Sequence, residues 1–428
     1  MKIRIVKTTQ PEFKKLLAKI VQRRGSRDGE VERQVDEIIR AVQHEGDPAL
    51  LRYTELFDRV QLTPPSIEVK PSEIERAMKN VPARDLGTLR LAAKRIAAFH
   101  RRQLSKSWQY HDPLGMLLGQ RITALGRVGV YVPGGKALYP STVLMNVVPA
   151  KVAGVKEIVM TSPIGHNGGI ILAAAQIAGV DRIFRVGGAQ AIAALAFGTQ
   201  TIPKVDKIVG PGNIYVATAK RLVFGEVNID SIAGPSEILL LADESADPKH
   251  VAADMLSQAE HDELAAALCV TSSAAVAVRI QQAVEEQLQK TKRRAITIKA
   301  LENYGAIIVA RGQEEILKIA NMIAPEHIEL IVKQPLKWAR AIHNAGAIFV
   351  GPYSTPPLGD YLAGPNHVLP TGGSARFFSP LGTYDFLKRT TIIQAEKRAL
   401  RALAPRIIQL ARLEGLDDHA RAVEARFE

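Results

Sequence analysis

The sequence predicts an α/β protein in which two mainly parallel sheets follow one another, with helical segments at both ends. Short apolar segments alternate with amphipathic ones in two successive arrays, the first over about 126–234 and the second from about 236 to 350. Parallel neighbouring strands require crossover connections, which helices usually supply. A chain of 428 residues has room for two or three domains of ordinary size.

Residues 1 to about 125 are predicted to be mostly helical. Glu30–His44 carries apolar residues at the 3.6-residue period of an amphipathic helix. Ile74–Asn80 and Asp85–Ser105 are predicted as further helices.

The first array opens with a strand over Arg127–Val132, which a proline and two glycines close. Its later strands are predicted at Glu157–Thr161, Arg182–Val186 and Lys207–Val209. The helices between them are predicted at Ser141–Ala153, Ile170–Ala178, Ala189–Phe197 and Asn213–Val223.

The second array has predicted strands at Glu237–Ala242, Ala265–Thr271, Ala306–Val309, Ile328–Val332 and Ala347–Val350. The helices between them include Pro248–Glu260 and Glu314–Ile323. The chain then returns to basic amphipathic helices over Gln394–Leu413 and Asp418–Phe427, which could pack on their own domain or on a partner chain.

Composition excludes several classes of protein. Apolar residues make up 46% and charged residues 23%, which argues against a disordered or fibrous chain. The apolar runs are far shorter than the ~18–20 residues of a membrane helix, and the first residues lack a signal peptide's apolar region. The single cysteine, Cys269, excludes an intrachain disulfide and a cysteine-rich zinc site, and it fits a reducing cytoplasm.

The net charge of +13 raises nucleic acid as a partner. However, no block of five or six like charges occurs, and aromatic residues are only 5% of the chain. Basic residues spread over solvated helix faces are the favoured interpretation.

Three glycine-rich turns follow strands of the first array, where helix N-termini can bind phosphate groups. An acidic residue, Asp230, lies 20 residues after Gly210 and suits recognition of a ribose, although Tyr215 breaks the GxGxxG pattern. Tight turns that only pack a helix against a sheet remain an equally good interpretation of any single one. The three turns are Pro133-Gly134-Gly135, Gly187-Gly188-Ala189-Gln190 and Gly210-Pro211-Gly212-Asn213.

Two polar motifs follow predicted helices of the second array. Gln258 and His261 share a helix face and could ligate a metal, although a merely polar helix end is favoured on spacing alone. Glu326 and His327 follow Pro325 at a helix-to-strand turn and could share acid–base work. For that pair alone, a solvated loop is the favoured alternative.

Two further motifs lie towards the C-terminus. The stiff loop 351–367 is dense in glycine and proline and can aim Asp360, Tyr361, Asn366 and His367 into a site. In the helical tail, aspartates after Gly415 can cap the last helix, but capping does not explain His419.

Taken together, these motifs resemble the histidinol dehydrogenase family from about residue 25 to the end, in the family's order and spacing. The stretches that carry the resemblance are Gly129–Gly135, Val209–Tyr215, Ala233–Glu237, Ser257–Asp262, Ala324–Glu329, Gly359–His367 and Glu414–His419.

The resemblance implies zinc-dependent oxidation of L-histidinol through L-histidinal to L-histidine, with reduction of two NAD, as the last two steps of histidine biosynthesis. It implies that one zinc per subunit is held by Gln258, His261, Asp360 and His419. His327 is implied as the general base and Glu326 as the group that activates water.

The resemblance also implies the binding residues. Besides His327 and the four zinc ligands, the substrate would contact Ser236, Tyr361, His367 and Glu414. NAD would contact Tyr131, Gln190 and Asn213. Each of these three lies on or beside one of the glycine turns.

The implied assembly is a homodimer with swapped tails, in which Glu414 and His419 complete the partner's site. The implied domains are an N-terminal helical segment (1–25), a first α/β domain with the zinc and catalytic residues (26–126 plus 235–380), a second with the NAD contacts (127–234), and a helical tail (381–428). The two α/β domains would be similar, incomplete and Rossmann-like, and the helical ends would reach the partner subunit.

Two other classes of function remain as alternatives. A zinc amidohydrolase-like enzyme could use the same histidines and aspartate with a metal-bound water. A basic nucleic-acid-binding protein would account for the net charge and would show salt-sensitive binding to DNA.

Overall fold

The computed structural model describes residues 1–22, 29–134, 138–165, 168–232 and 234–428. It confirms the predicted α/β class, with two parallel sheets and helices packed on their faces. The turn residue Gly135, the motif residue Ala233 and the boundary predicted at residue 25 lie outside the described residues.

The described strands include all nine that were predicted for the two arrays, within one or two residues at their ends, together with five that were not predicted. They are β1 Ile5–Lys7, β2 Trp108–His111, β3 Leu117–Ala124, β4 Arg127–Tyr131, β5 Glu157–Thr161, β6 Arg182–Phe184, β7 Lys207–Val209, β8 Asn228–Ile229, β9 Glu237–Ala242, β10 Ala266–Thr271, β11 Ala306–Val309, β12 His327–Ile331, β13 Ala347–Val350 and β14 Leu387–Gln394.

The α-helices include several that the sequence analysis did not separate. They are α1 Pro11–Gln22, α2 Gly29–Glu45, α3 Asp47–Asp58, α4 Pro64–Ile67, α5 Pro71–Asn80, α6 Ala83–His100, α7 Pro140–Ala153, α8 Gly169–Ala178, α9 Gly188–Phe197, α10 Ile214–Val223, α11 Pro248–Ala259, α12 Ala274–Leu288, α13 Arg294–Tyr304, α14 Gln313–Ile323, α15 Pro335–Ala339, α16 Pro356–Tyr361, α17 Lys397–Leu413 and α18 Asp417–Glu424.

The two parallel sheets share one strand order. The five-stranded sheet runs β6-β5-β4-β7-β8, and the six-stranded sheet runs β1-β11-β10-β9-β12-β13. If the strands of each array are numbered from its first, β4 or β9, both orders read 3-2-1-4-5, which is the order of a dinucleotide-binding fold that lacks its last strand. In each sheet the order reverses beside the first strand, between β4 and β7 and between β9 and β12.

The N-terminal segment is not purely helical as predicted. Ile5–Lys7 pairs in parallel with β11 and adds an edge strand to the six-stranded sheet. A three-residue strand is too short to show an alternating pattern in the sequence, which explains why it was missed.

A third sheet was not predicted. β3 pairs antiparallel with β14 and with β2, so that residues near 120 meet residues near 390. The region before residue 125 was interpreted as helical, and pairing between strands this far apart in the chain leaves no local signal.

The helices of residues 29–100 pack on the five-stranded sheet. Val35 of α2 belongs to one apolar core with Ile192 and Ile208, and Ile96 of α6 belongs to another with Val130. This packing differs from the implied grouping of 26–126 with the six-stranded sheet. The amphipathic pattern of these helices fixes which face is buried, but not which sheet buries it.

The C-terminal tail, predicted to be helical over 381–428, instead begins with strand β14 and then forms two helices, α17 and α18, that pack on each other. Leu410 and Leu413 of α17 are exposed, at 62% and 76%. The predicted amphipathic helix thus leaves apolar residues uncovered within one chain. Among the described residues, none of the helices combines the length and the apolar character needed to cross a membrane.

Candidate active site

Glu326 and His327 lie at the junction between helix α14 and strand β12. The helix ends with Ala324 in the left-handed region at φ 49°, and Pro325 has no N–H to continue it. The chain then enters β12 at His327. The predicted turn between helix and strand is confirmed. The solvated-loop alternative is wrong, because both side chains are buried.

The backbone of Glu237, the first residue of β9, contacts both of these side chains. Its N–H donates to Glu326 Oε2 at 2.9 Å, and its carbonyl oxygen lies 3.2 Å from His327 Nδ1. Since a carbonyl oxygen only accepts, Nδ1 donates in that bond, and the neutral imidazole keeps its lone pair on Nε2. Nε2 lies 3.8 Å from Asp360 Oδ1. His327 therefore turns its basic nitrogen towards Asp360.

The charges of this cluster shift its pKa values. Burial acts to lower the pKa of His327, but the charges of Glu326 and Asp360 outweigh burial and raise that pKa to about 9. Burial raises the pKa of Glu326, although the charge of His327 opposes it. Burial likewise acts to raise the pKa of Asp360, but its interaction with His327 dominates and lowers it. Such shifts in opposite directions are typical of acid–base sites.

Short helix α16 brings Asp360 to this cluster. The backbone carbonyl of Asp360 accepts from His367 Nδ1 at 3.0 Å, and so leaves His367 Nε2 available. The charge of His261 also acts on Asp360 and on His367, which places all three side chains in one neighbourhood.

Gly359 lets α16 approach the sheet at this point. A Cβ on Gly359 would come within 2.7 Å of the Phe349 ring, and that ring packs 5.8 Å from the His327 ring. Any larger residue at position 359 would therefore force either the Phe349 ring or the helix that carries Asp360 to shift.

Gln258 and His261 lie at the end of α11. The helix ends at Ala259, and the turn continues through Glu260, since the His261 N–H donates to the Gln258 carbonyl oxygen at 3.3 Å. The predicted common face of Gln258 and His261 stays a prediction. Gln258 is buried, whereas His261 is exposed. The charge of Glu260 acts on Tyr361, which places the end of α11 against α16.

Three of the four predicted metal ligands, Gln258, His261 and Asp360, thus lie at one end of the six-stranded sheet. Their nitrogen and oxygen donors suit zinc. In the ranges that the structure describes, no group of three or more His, Cys, Asp or Glu side chains is arranged to hold a metal ion. The predicted set is compatible with this, because glutamine is not one of those residue types and His419 belongs to the tail.

The other residues that the resemblance implies for substrate binding lie in two places, at the start of β9 and on the C-terminal helices. Ser236 directly precedes β9, and its carbonyl oxygen accepts from Ala266 N–H at 3.0 Å. Glu414 and His419 are exposed on the α17–α18 pair. Among the interactions described for one chain, none joins Glu414 or His419 to His327. Their role in a partner's site stays a prediction.

The predicted NAD residues lie at the carboxyl ends of strands of the other sheet. Tyr131 ends β4, and its hydroxyl oxygen accepts from Gly188 N–H at 3.2 Å. Gln190 of α9 is fully buried, and neither of its amide atoms has a hydrogen-bond partner in the described part of the chain. Asn213 caps α10, where its Oδ1 accepts from Val216 N–H at 3.1 Å.

Asp230 does not fit the predicted recognition of a ribose. Its carboxylate is buried, forms an ion pair with the buried Lys220 and accepts from Gly210 N–H at 2.8 Å. Lys220 Nζ also donates to the Gly210 carbonyl at 2.9 Å. Because the Gly210 N–H donates to the Asp230 carboxylate inside the turn, that N–H does not point to a phosphate. Gly210 itself is required, because at φ +114° its Cβ would lie 2.1 Å from the Tyr131 carbonyl oxygen.

The loop after Asp360 joins the two halves of the site. Asn366 Nδ2 donates to the carbonyl oxygen of Met145 in α7 at 2.6 Å. Tyr361 interacts with Tyr139, which directly precedes α7. The sequence predicts that Asn366 points into a site. In the structure its buried amide instead holds the loop in place by its hydrogen bond to Met145.

The cluster of Glu326, His327 and the Glu237 backbone lies at the amino ends of strands β9 and β12. Glu237 and His327 are the first residues of β9 and β12, whereas ligands of open α/β sheets usually bind at the carboxyl ends. Sequence reasoning found Glu326 and His327 but missed Glu237, since a backbone contact leaves no signal in the side-chain pattern.

Comparison with known proteins identifies the family of the chain. The family model for histidinol dehydrogenase matches residues 21–427. The chain belongs to the histidinol dehydrogenase family. The histidinol dehydrogenase of Syntrophotalea carbinolica is 53% identical over 428 residues, which cover 100% of this chain and 99% of that protein. That of Aquifex aeolicus is 52% identical and covers 93% of this chain and 92% of its own.

A solved member of the family shares the whole fold. The crystal structure of histidinol dehydrogenase from Elizabethkingia anophelis superposes with a TM-score of 0.92 at 34% identity. It covers 99% of this chain and 98% of its own. The resemblance drawn from the seven sequence motifs is thereby confirmed.

Proposed function

We propose that this chain oxidises L-histidinol through L-histidinal to L-histidine, with two NAD reduced, and so completes histidine biosynthesis. Family membership makes it a dehydrogenase of this kind. The observation that carries the mechanism is the buried Glu326–His327 pair, which the backbone of Glu237 fixes opposite Asp360. With the family established, no observation favours the amidohydrolase or the nucleic-acid alternative.

His327 is the proposed general base of the first oxidation. Its Nε2 takes the hydroxyl proton of the alcohol, while the hydride on the same carbon goes to the nicotinamide of NAD. Loss of the proton raises the electron density on oxygen and helps the hydride to leave. The Nδ1 contact to Glu237 holds the ring in the required tautomer.

Glu326 is proposed to act between the two oxidations. An aldehyde carbon gives up a hydride only after a nucleophile, here water, has added to it. A carboxylate next to the base can take the proton from that water, while protonated His327 returns its proton to the aldehyde oxygen and becomes neutral again. His327 then removes a proton from the hydrate, and a second hydride reaches a second NAD. Burial of both groups keeps the reactive aldehyde away from bulk water.

We propose that Gln258, His261 and Asp360 hold one zinc ion together with His419 of the other subunit. When bound, zinc supplies a fixed positive centre that orients the imidazole and amino groups of the substrate. His367 beside Asp360, with Ser236 and Tyr361, would line the same space, and Glu414 would reach it from the partner. Tyr131, Gln190 and Asn213 are proposed to contact NAD.

The proposed assembly is a homodimer with exchanged tails. Its support is the exposed apolar face of α17, which one chain leaves uncovered. The division into domains at about residues 126, 235 and 380 also remains a proposal, with α2–α6 reassigned to the five-stranded sheet on their packing. A cytoplasmic site of action is proposed from the lone, buried Cys269.

Removal of the metal tests the proposed cofactor. Protein treated with a strong chelator is expected to lose nearly all histidinol-dependent formation of NADH, and added zinc is expected to restore it. The measurement is the absorbance of NADH, with L-histidine quantified by chromatography. Full activity of protein shown by elemental analysis to be metal-free would contradict the role of zinc.

A further inference from the structure

Glu329 is a buried carboxyl group that the proposed mechanism does not use. It belongs to the Ala324–Glu329 motif and is fully inaccessible to solvent. Among the described residues, neither of its carboxylate oxygens finds a hydrogen-bond donor. A buried carboxylate without a donor is strongly unfavourable, so this group requires an explanation.

The position of Glu329 relates it directly to the site. Alternate residues of a strand share a face, so Glu329 lies on the same face of β12 as His327, two residues further along. Ile331 of the same face belongs to one apolar core with Met255 of α11, so that face packs against α11. The neighbouring Asp254 of α11 interacts with Glu329. Asp254 lies one helical turn before Gln258 and so shares its side of α11. The Asp254–Glu329 pair therefore lies directly beneath Gln258 and His327.

Asp254 also contacts the segment that carries Asp360. The hydroxyl of Thr355 donates to Asp254 Oδ1 at 2.7 Å, and Thr355 directly precedes α16. Asp254, a residue of α11, thereby contacts β12 through Glu329 and the start of α16 through Thr355. These three elements carry His327, Asp360 and Gln258.

We propose that Asp254 and Glu329 share one proton in a buried carboxyl pair which, with Thr355, positions α11, β12 and α16 around the active site. Two adjacent carboxylates would only repel one another. A proton between them supplies the donor that Glu329 lacks and turns the repulsion into a short, charge-assisted hydrogen bond. The positioning part rests on the proposed zinc site, whereas the shared proton does not.

The electrostatics of the pair agree with its geometry. Burial and the charge of Asp254 raise the pKa of Glu329 to about 9, so that Glu329 holds the proton at neutral pH. Burial also raises the pKa of Asp254, while the hydrogen bonds from Thr355 and Glu329 and the charge of His250 act against it.

Infrared spectroscopy of the full chain tests the shared proton without any metal. At pH 7.5 the wild type is expected to show the C=O stretch of a protonated carboxylic acid that disappears in Glu329→Gln. The amide of that variant still donates to Asp254, so folding is expected to be preserved. Identical spectra of the two proteins in this region would overturn the shared proton.

Zinc affinity, measured by competition with a chelator, tests the positioning role. Thr355→Val and Glu329→Leu are expected to weaken zinc binding about 10- to 100-fold, as removal of groups behind metal ligands typically does. Thr355→Ser and Glu329→Gln keep the donors and are expected to bind zinc like the wild type. Thr297→Val is the matched control, because it removes a buried hydroxyl that donates to the carbonyl oxygen of Arg293, one turn earlier at the start of α13.

The outcomes separate this inference from the proposed function. Wild-type zinc affinity in Thr355→Val, a partly buried loop position where loss of folding is not expected, would overturn the positioning role. Equal weakening in Thr355→Ser and Thr355→Val would also overturn it. A wild-type chain that binds no zinc and oxidises no histidinol would overturn the proposed function instead, and the infrared result would still decide the carboxyl pair.

Discussion

At the scale of single residues, the site depends on one backbone position. Glu237 donates to Glu326 and accepts from His327, so both catalytic side chains are aligned by the start of β9. The sequence predicted the two side chains, since their types suit acid–base chemistry. It could not predict Glu237, because any residue at this position presents the same N–H and carbonyl groups.

The pH dependence of the reaction follows from His327. A protonated imidazole cannot accept another proton, and the pKa of His327 is raised to about 9. We therefore expect kcat/KM for histidinol to rise with pH from 7 to 9, up to tenfold per unit. His327→Asn is expected to lower kcat by about 10²–10⁴-fold and to remove this rise. Steady-state rates in buffers of constant ionic strength measure both, and a flat profile of the wild type from pH 7 to 9 would contradict the assignment.

At the scale of elements, the strands of both arrays were predictable and their partners were not. Apolar segments such as Glu237–Ala242 are buried along their whole length and stand out in the sequence. The pairing of β3 with β14 and the packing of α2 on the five-stranded sheet depend on contacts across the whole chain. Local pattern carries no information about such contacts.

The turn after β7 is fixed by the buried Lys220–Asp230 pair. Lys220→Met is expected to lower the free energy of unfolding by about 3–5 kcal/mol, because Asp230 would remain buried without its counter-charge. Lys204→Met is the control. Lys204 pairs with Glu226 at the surface, and its loss is expected to cost less than about 1 kcal/mol. Urea unfolding followed by circular dichroism measures both, and equal losses would contradict the structural role of the buried pair.

At the scale of the whole molecule, the proposed site draws on opposite ends of two sheets of equal strand order. The catalytic cluster lies at the amino ends of β9 and β12, and the predicted NAD residues lie at the carboxyl ends of the other sheet. The loop through Asn366 joins them. The glycine turns predict a dinucleotide site on the five-stranded sheet, but Asp230 shows that one of these turns has a structural role.

The proposed exchange of tails between subunits predicts complementation. His327→Ala and His419→Ala homodimers are each expected to be inactive, because each site lacks one essential group. In a mixed dimer one site carries both changes and the other carries neither, so about half of the wild-type activity per dimer is expected. Differently tagged subunits, purified as verified heterodimers, provide the measurement. Heterodimers as inactive as the parents would contradict the shared site.

The stoichiometry of the reaction tests the proposed chemistry most directly. With L-histidinol limiting and NAD in excess, the NADH formed and the L-histidine produced are measured at completion. Two NADH and one L-histidine per L-histidinol are the result that the Glu326–His327 pair and family membership predict. One NADH per L-histidinol, with the aldehyde as the final product, would contradict it.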